Sequence, residues 1–166
     1  MRLDPSVADV PFRLWLVLLR TSDIILRARE KELEPYGITS SQAAVLYTID
    51  SLGDKATVGN ISKWLFRMPH SVTGILDRME RLGLVERAPD PLSKRIVRVR
   101  MTVKGKEAYE LSSQREVINR IMSVLSEEEM KDLSRYLKAI NIKAREELSK
   151  ASENKIYGSA LRAWVP

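Results

Sequence analysis

The chain of 166 residues contains no cysteine. Disulfides, thiolate zinc sites and cysteine-based redox sensing are thereby excluded, in keeping with a reducing compartment, and the expected location is the cytoplasm. There is a single histidine, His70, no glycine-rich phosphate loop, and the carboxylates are scattered over helical surfaces. No constellation able to carry catalysis follows from such a set, so no enzymatic activity, metal or cofactor is expected. Long apolar runs are missing as well. The strongly apolar stretch Val10 to Leu19 is about half the length needed to cross a bilayer, and Arg13 interrupts it. Arg2 is offset by Asp4 and Asp9, and no small-residue cleavage site follows before Arg20, so the stretch does not read as a signal peptide. A buried helix is the reading that remains, with no membrane partner.

What the chain does have is positive charge, and it is concentrated. Between Lys63 and Lys106 there are eleven Lys and Arg against four Asp and Glu, a balance of +7, whereas the whole chain carries +6. A sequence pI near 9.6 favours an anionic partner. Inside the basic segment, Val72, Ile75, Leu76 and Met79 recur at helical spacing and make one apolar face over Pro69 to Leu82. His70, Thr73, Gly74, Asp77 and Arg81 therefore face outward. The pattern then changes to period two. Val97, Val99 and Met101 alternate with Ile96, Arg98 and Arg100, which predicts a hairpin from Leu84 to Met101 turning at Asp90-Pro91-Leu92-Ser93. A helix able to enter a groove beside a basic arm able to reach phosphates is an arrangement for reading DNA.

Around this segment the sequence is helical and well punctuated. A first helix is predicted from Pro11 to Glu34, stopped by Pro35 and Gly37. Thr39 and Gln42 form a capping box opening a second helix that Gly53 closes. Thr57 caps a short third helix expected to carry Ile61, Trp64 and Leu65 inward. Pro69 suits the first turn of the fourth, and Gly83 its left-handed stop. Thr102 caps a fifth helix predicted to continue to about Leu125, and Ser126 with Glu129 forms a second capping box. In the sixth helix Met130, Leu133, Leu137, Ile140 and Ala144 alternate three and four apart, a heptad seam that needs a partner helix. The first, fifth and sixth helices carry more apolar face than a small domain can cover, so a homodimer is expected.

This order of elements, with Leu82-Gly83-Leu84-Val85-Glu86-Arg87, Asp90-Pro91 through Lys94-Arg95, and Met101-Thr102-Val103-Lys104-Gly105, resembles the MarR family of regulators from about Phe12 to Lys150. The resemblance implies a mainly α fold with a small β-hairpin wing: a winged helix-turn-helix domain plus a helical dimerisation region. The corresponding boundaries are 1–36 for an N-terminal dimerisation helix, 37–101 for the DNA-binding region, and 102–166 for the C-terminal dimerisation helices and tail. It also implies a dimeric, sequence-specific transcriptional regulator, more often a repressor, bound to a pseudo-palindromic double-stranded operator and released by a small-molecule effector. The chain departs from the family pattern at Gly74, where many members carry a basic residue, at Ser93 in place of a wing acid, and at Lys94 in place of the first wing arginine.

The candidate DNA contacts are Arg67, His70, Ser71, Thr73, Gly74, Arg78, Lys94, Arg95 and Arg98. His70 is either a base or phosphate contact on the first turn of the reading helix or an ordinary solvated residue. Thr73 and Ser71 suit a phosphate or a thymine methyl. Gly74 either admits DNA close to the backbone or weakens the helix by about 1 kcal/mol for no gain. Asp77, repelled by phosphates, either pairs with Arg78 or Arg81, the favoured reading, or accepts from a cytosine amino group. Trp15, Tyr47, Trp64 and Tyr109 are candidates for an aromatic effector pocket, against the plainer alternative that they belong to the core. The tail from Ile156 to Val165 is apolar and would lie across the other subunit or stay unstructured. A protein-interaction module using the same hairpin is the competing functional class; steep salt dependence of duplex binding separates the two.

Overall fold

In the computed structural model, residues 9–90 and 93–153 are described, without the side chains of 94, 95 and 151–153. The centre of the wing turn, the side chains of Lys94 and Arg95, and the apolar tail lie outside the described residues.

Helix α1 runs Val10–Leu33, with Asp9 accepting from the Phe12 N–H at 2.9 Å and Pro11 in the first turn. A 3-10 turn ends at left-handed Gly37. Helix α2, Ser40–Leu52, opens with the predicted capping box: the Gln42 N–H donates to the Thr39 hydroxyl at 3.2 Å and the Thr39 N–H to Gln42 Oε1 at 2.8 Å. Helix α3, Val58–Leu65, is capped by Thr57, and helix α4, Pro69–Arg81, buries all four predicted apolar residues, Val72, Ile75, Leu76 and Met79. Gly83 then turns the chain at φ +68°. Strands β1, Val85–Asp90, and β2, Ser93–Met101, pair antiparallel from Val85 opposite Met101 to Pro89 opposite Val97, and the register shifts before Asp90. Asp90 closes the turn by accepting the Ser93 N–H at 3.0 Å. The Val99 N–H donates to the Ala56 carbonyl at 2.9 Å, which fastens β2 to the loop before α3.

The core lies where α2, α3, α4 and the hairpin meet, around Val45, Leu46, Ile61, Leu76, Met79, Val85 and Val99, all at most 2% exposed. Burying a side chain of this size contributes about 1.5–3 kcal/mol, so these contacts hold the lobe. The start of α5, Val103–Ser113, is stitched onto the end of α4. The Thr102 hydroxyl donates to the Gly83 carbonyl at 2.6 Å and accepts from the Gly105 N–H at 3.0 Å. Lys104 donates to the Leu82 carbonyl at 2.9 Å, a cation placed on the orphan carbonyls and the negative end of the α4 dipole.

Two sequence expectations need correction. The helix predicted from Thr102 to about Leu125 is broken: α5 ends at Ser113, Arg115 is left-handed at φ +51°, and α6 runs Glu116–Met122. The cause lies on α1. Its Arg29 guanidinium donates to the Ser112 carbonyl, and its Glu32 accepts the Val117 N–H at 2.9 Å, so backbone groups freed by the break are satisfied from another helix. Burial pushes the Glu32 carboxyl up, but the Val117 N–H and Arg29 outweigh it and hold the group below the usual carboxylate range. Trp64, expected inward, is 47% exposed. Val58, Ile61, Ser62 and Leu65 fill the inward stripe of α3, and Trp64 falls off its edge.

Helix α7, Glu127–Glu153, starts with the second predicted capping box, Ser126 with Glu129. Its seam residues Met130, Leu133, Leu137 and Ile140 are 38 to 46% exposed, and Phe12, Leu14, Trp15, Val17 and Leu19 of α1 are also exposed. Two apolar helical faces are thus exposed among the described residues.

Candidate nucleic-acid interface

The apolar stripe of α4 is consumed by the core, and that fixes what the other side offers. His70, Ser71, Asp77 and Arg78 are exposed, and Thr73 and Gly74 are half-buried. A Cβ built on Gly74 meets nothing within 4 Å, so the helix backbone is open to close approach at that point. The Thr73 hydroxyl donates to the Pro69 carbonyl at 3.0 Å, which leaves its oxygen to accept and its methyl to make apolar contact. Arg67 is exposed on the turn that leads into this face.

The wing is braced by two arginines, and each changes a reading made from sequence. Asp77 pairs neither with Arg78 nor with Arg81. Its carboxylate accepts from Arg87 of β1 at 2.7 Å, and the same guanidinium lies 3.4 Å from the Thr73 carbonyl and 3.8 Å from Glu80. Strand alternation points Arg87 at the helix, whereas Arg81 folds back on its own helix and donates to the Asp77 carbonyl at 3.4 Å, not to its carboxylate. Arg87, which ties the first strand of the wing to α4, is the residue of this face that sequence reasoning missed. The signal was present in two acids, Asp77 and Glu80, three apart on the helix that precedes a strand arginine. Arg98, a candidate DNA contact, is already engaged. Its Nε donates to buried Asp90 and its terminal nitrogen to the Asp54 carbonyl, both at 2.5 Å, so it holds the wing tip to the loop before α3. Arg100, opposite Glu86, reaches Asp54 at 3.8 Å.

Because Asp77 and Arg87 are both partly exposed, the bridge contributes about 0.2–1 kcal/mol to stability. A double-mutant cycle with Asp77→Asn and Arg87→Ala is expected to give a coupling in that range and, independently of it, a weaker grip on duplex DNA as the wing loosens from the reading helix. Additive thermal shifts with no coupling would show the pair to be incidental.

The four candidate aromatics do not converge. Tyr47 and Tyr109 line one cleft of about 380 Å³ between α1, α2, α5 and α6, together with Arg29, Ser40, Arg115 and Ile118. The Arg115 guanidinium stands 4.9 Å from the centre of the Tyr47 ring, and the Tyr109 hydroxyl donates to Asp50 at 2.9 Å. Burial, then the bond to Asp50, raise the Tyr109 phenol above its usual value. Trp64 lines a separate surface hollow with Leu52, Asn60, Lys63 and Phe66. Trp15 packs on Phe12 of its own helix, ring centroids 5.4 Å apart. The cleft sits against the left-handed break at Arg115, between α2 and α5 on one side and α1 and α6 on the other. Among the described residues no group of three or more His, Cys, Asp or Glu side chains is placed to hold a metal ion, and no helix is long and apolar enough to cross a membrane.

Comparison with known proteins agrees with this geometry. The chain is 27% identical over 152 residues to the HTH-type transcriptional repressor MdtR of Bacillus subtilis, covering 90% of each chain. It is 27% identical over 127 residues to the transcriptional activatory protein BadR of Rhodopseudomonas palustris, covering 75% of this chain and 73% of that one. Among solved structures, a cysteine-to-serine variant of MarR from E. coli complexed with operator DNA superposes with a TM-score of 0.72 at 27% identity, over 80% of this chain and 99% of that one. The model of the MarR family matches residues 36–96, the span from the 3-10 turn after α1 through α4 into the wing. Over that span, and in the relatives it matches, the chain is similar to the MarR family of transcriptional regulators.

Proposed function

We propose that the protein is a homodimeric, sequence-specific DNA-binding repressor of transcription that a small aromatic anion releases from its operator. The observation that carries the reading is the outward face of α4: four apolar residues anchor the helix, and the opposite side presents His70, Ser71, Thr73 and an open Gly74 within the basic segment. In this reading α4 of each subunit enters a major groove with Arg67 and Arg78 at its flanks, and Lys94 and Arg95 of the wing reach phosphates or the minor groove. Arg98 serves as the brace that keeps the wing in place. The uncovered faces of α1 and α7 pair across the two-fold axis, so 1–36 and 102–166 form the dimerising region around the reading lobe of 37–101. The cytoplasm is the compartment where such a protein meets its operator.

The effector reading rests on the cleft at Tyr47 and Tyr109. Two tyrosine rings supply an apolar floor and Arg115 a cation, a chemistry suited to an aromatic carboxylate. Occupation there pushes on the α5–α6 break and thus on the angle between lobe and dimer.

The test is titration of a duplex selected in vitro, at several salt concentrations, with and without a hydroxybenzoate. The expected result is a steep fall in affinity with salt, with a slope of about −0.9 per neutralised phosphate. Saturating ligand should lower DNA affinity and, reciprocally, DNA should lower ligand affinity by the same factor. Tyr47→Ala should abolish the response to ligand while leaving DNA binding intact. Salt-insensitive binding, or a protein that remains monomeric at micromolar concentration, would overturn the reading.

A further inference from the structure

Helix α7 is a stiff rod with an uncovered seam, and among the described residues no other element packs extensively along it. Its distal half meets the reading lobe at Arg145. There the guanidinium carbon lies 3.8 Å from the centre of the Phe66 ring, over its face. Arg145 follows directly on Ala144, the last residue of the heptad seam. Phe66 follows directly on α3, and three residues later Pro69 begins the reading helix.

Both partners are held in unusual ways. Phe66 has a left-handed backbone at φ +52°, a conformation that costs a residue with a Cβ and persists only where its surroundings impose it. The imposition is visible: the Phe66 N–H donates to the Lys63 carbonyl at 3.3 Å and the Arg67 N–H to the Ser62 carbonyl at 3.1 Å, which fixes the direction of the ring relative to α3 and α4. On the other side, the Nε of Arg145 is buried without a hydrogen-bond partner among the described residues. A surface arginine would escape that cost by turning to water; this one stays on the ring, whose face attracts the cation.

We propose that Arg145 is a positioning residue for operator recognition. By stacking on Phe66 it sets the angle at which each reading lobe hangs from the dimer seam, and therefore the separation of the two reading helices and the half-site spacing that the protein accepts. The inference rests on the reading of the chain as a dimeric operator-binding protein. With the stack in place, an operator of wrong spacing is bound only by bending DNA or breaking the stack. Without it the lobes adapt to several spacings and lose on the best one the advantage of being held ready.

The experiment uses the full chain and an operator selected in vitro with the unaltered protein, together with versions carrying one or two extra base pairs between the half-sites. The unaltered protein is expected to prefer the selected spacing sharply. Arg145→Ala should lower the ratio of affinities between selected and lengthened operators about tenfold, equivalent to about 1.4 kcal/mol, chiefly by weakening the selected one. Phe66→Leu should behave alike, the double variant no worse than either single one, and Phe66→Tyr, which keeps the ring, should retain the preference. Sedimentation checks that each variant is dimeric; Phe66, which belongs to the end of α3 and not to the seam, carries the test where Arg145→Ala fails it. An unchanged spacing ratio in dimeric Arg145→Ala or Phe66→Leu overturns the proposal, and so does an equal loss on every duplex, the mark of a merely structural role. If the unaltered protein selects no duplex with two half-sites, the underlying reading of the chain falls instead.

Discussion

Gly105→Ala is expected to destabilise the protein by about 1–3 kcal/mol, the range for forcing an extra methyl into a packed site. The Cβ would lie 1.9 Å from the Leu84 carbonyl oxygen and 2.9 Å from its carbon, and these are backbone atoms that cannot swing aside. Either α5 lifts away from the end of α4, or the turn after Gly83 deforms. Each course strains the bonds that Thr102 and Lys104 make to the carbonyls of Gly83 and Leu82. Thermal unfolding should show a midpoint lower by several degrees, since a domain of this size shifts by roughly 2–4 °C per kcal/mol. Gly74→Ala is the informative contrast. Its Cβ meets open space, and it removes a glycine from a helix interior, so it should raise stability by about 1 kcal/mol. If the gap exists for DNA, the same variant binds operator less tightly. A Gly105→Ala protein that melts with the unaltered one would refute the packing account, and a Gly74→Ala protein with undiminished operator affinity would remove the functional reason for that glycine.

What could be read before the structure was whatever short-range chemistry decides. The inner face of α4 is legible because its four apolar residues keep helical spacing between a proline start and a glycine stop, and all four are buried. The capping boxes at Thr39 and Ser126 are legible because both partners lie within one turn. The break between α5 and α6 has no such local mark. No proline or glycine stands at it, and the groups that stabilise it come from Arg29 and Glu32, which lie 83 and 85 residues from their partners. The same limit applies to the candidate site. Asp77 has arginines one and four residues away, which made them its natural partners, yet its salt bridge is to Arg87, ten residues on and across the turn at Gly83. Tyr47 and Tyr109 were identifiable as aromatics, but the cleft exists only because α1 and α6 bring Arg29, Arg115 and Ile118 to them. Trp15 and Trp64 were grouped with them by residue type alone, which carries no information about direction.

Helix and wing are expected to fail in different ways, because phosphate contacts position a protein on DNA and base contacts specify where. Thr73→Val or His70→Ala should cost about 1–3 kcal/mol on the operator and little on unrelated duplex, since these residues occupy the exposed face of α4. Thr73→Val is the cleaner change: it keeps shape and the methyl while removing the hydroxyl, whose present donation to the Pro69 carbonyl is internal to the helix. Replacing Lys94 and Arg95 by Ala should weaken operator and unrelated duplex alike and reduce the magnitude of the salt slope by about 0.9 for each phosphate left without its cation. Arg98→Ala should resemble the wing variants in binding yet differ from them in stability, because it also removes the ties from Arg98 to buried Asp90 and to the Asp54 carbonyl that brace the wing. Titrations of both duplexes at several salt concentrations separate these patterns. Should the wing variant lose only operator binding while the helix variants lose both duplexes equally, the wing reads the sequence and the helix merely docks, and the roles drawn from the face of α4 are reversed.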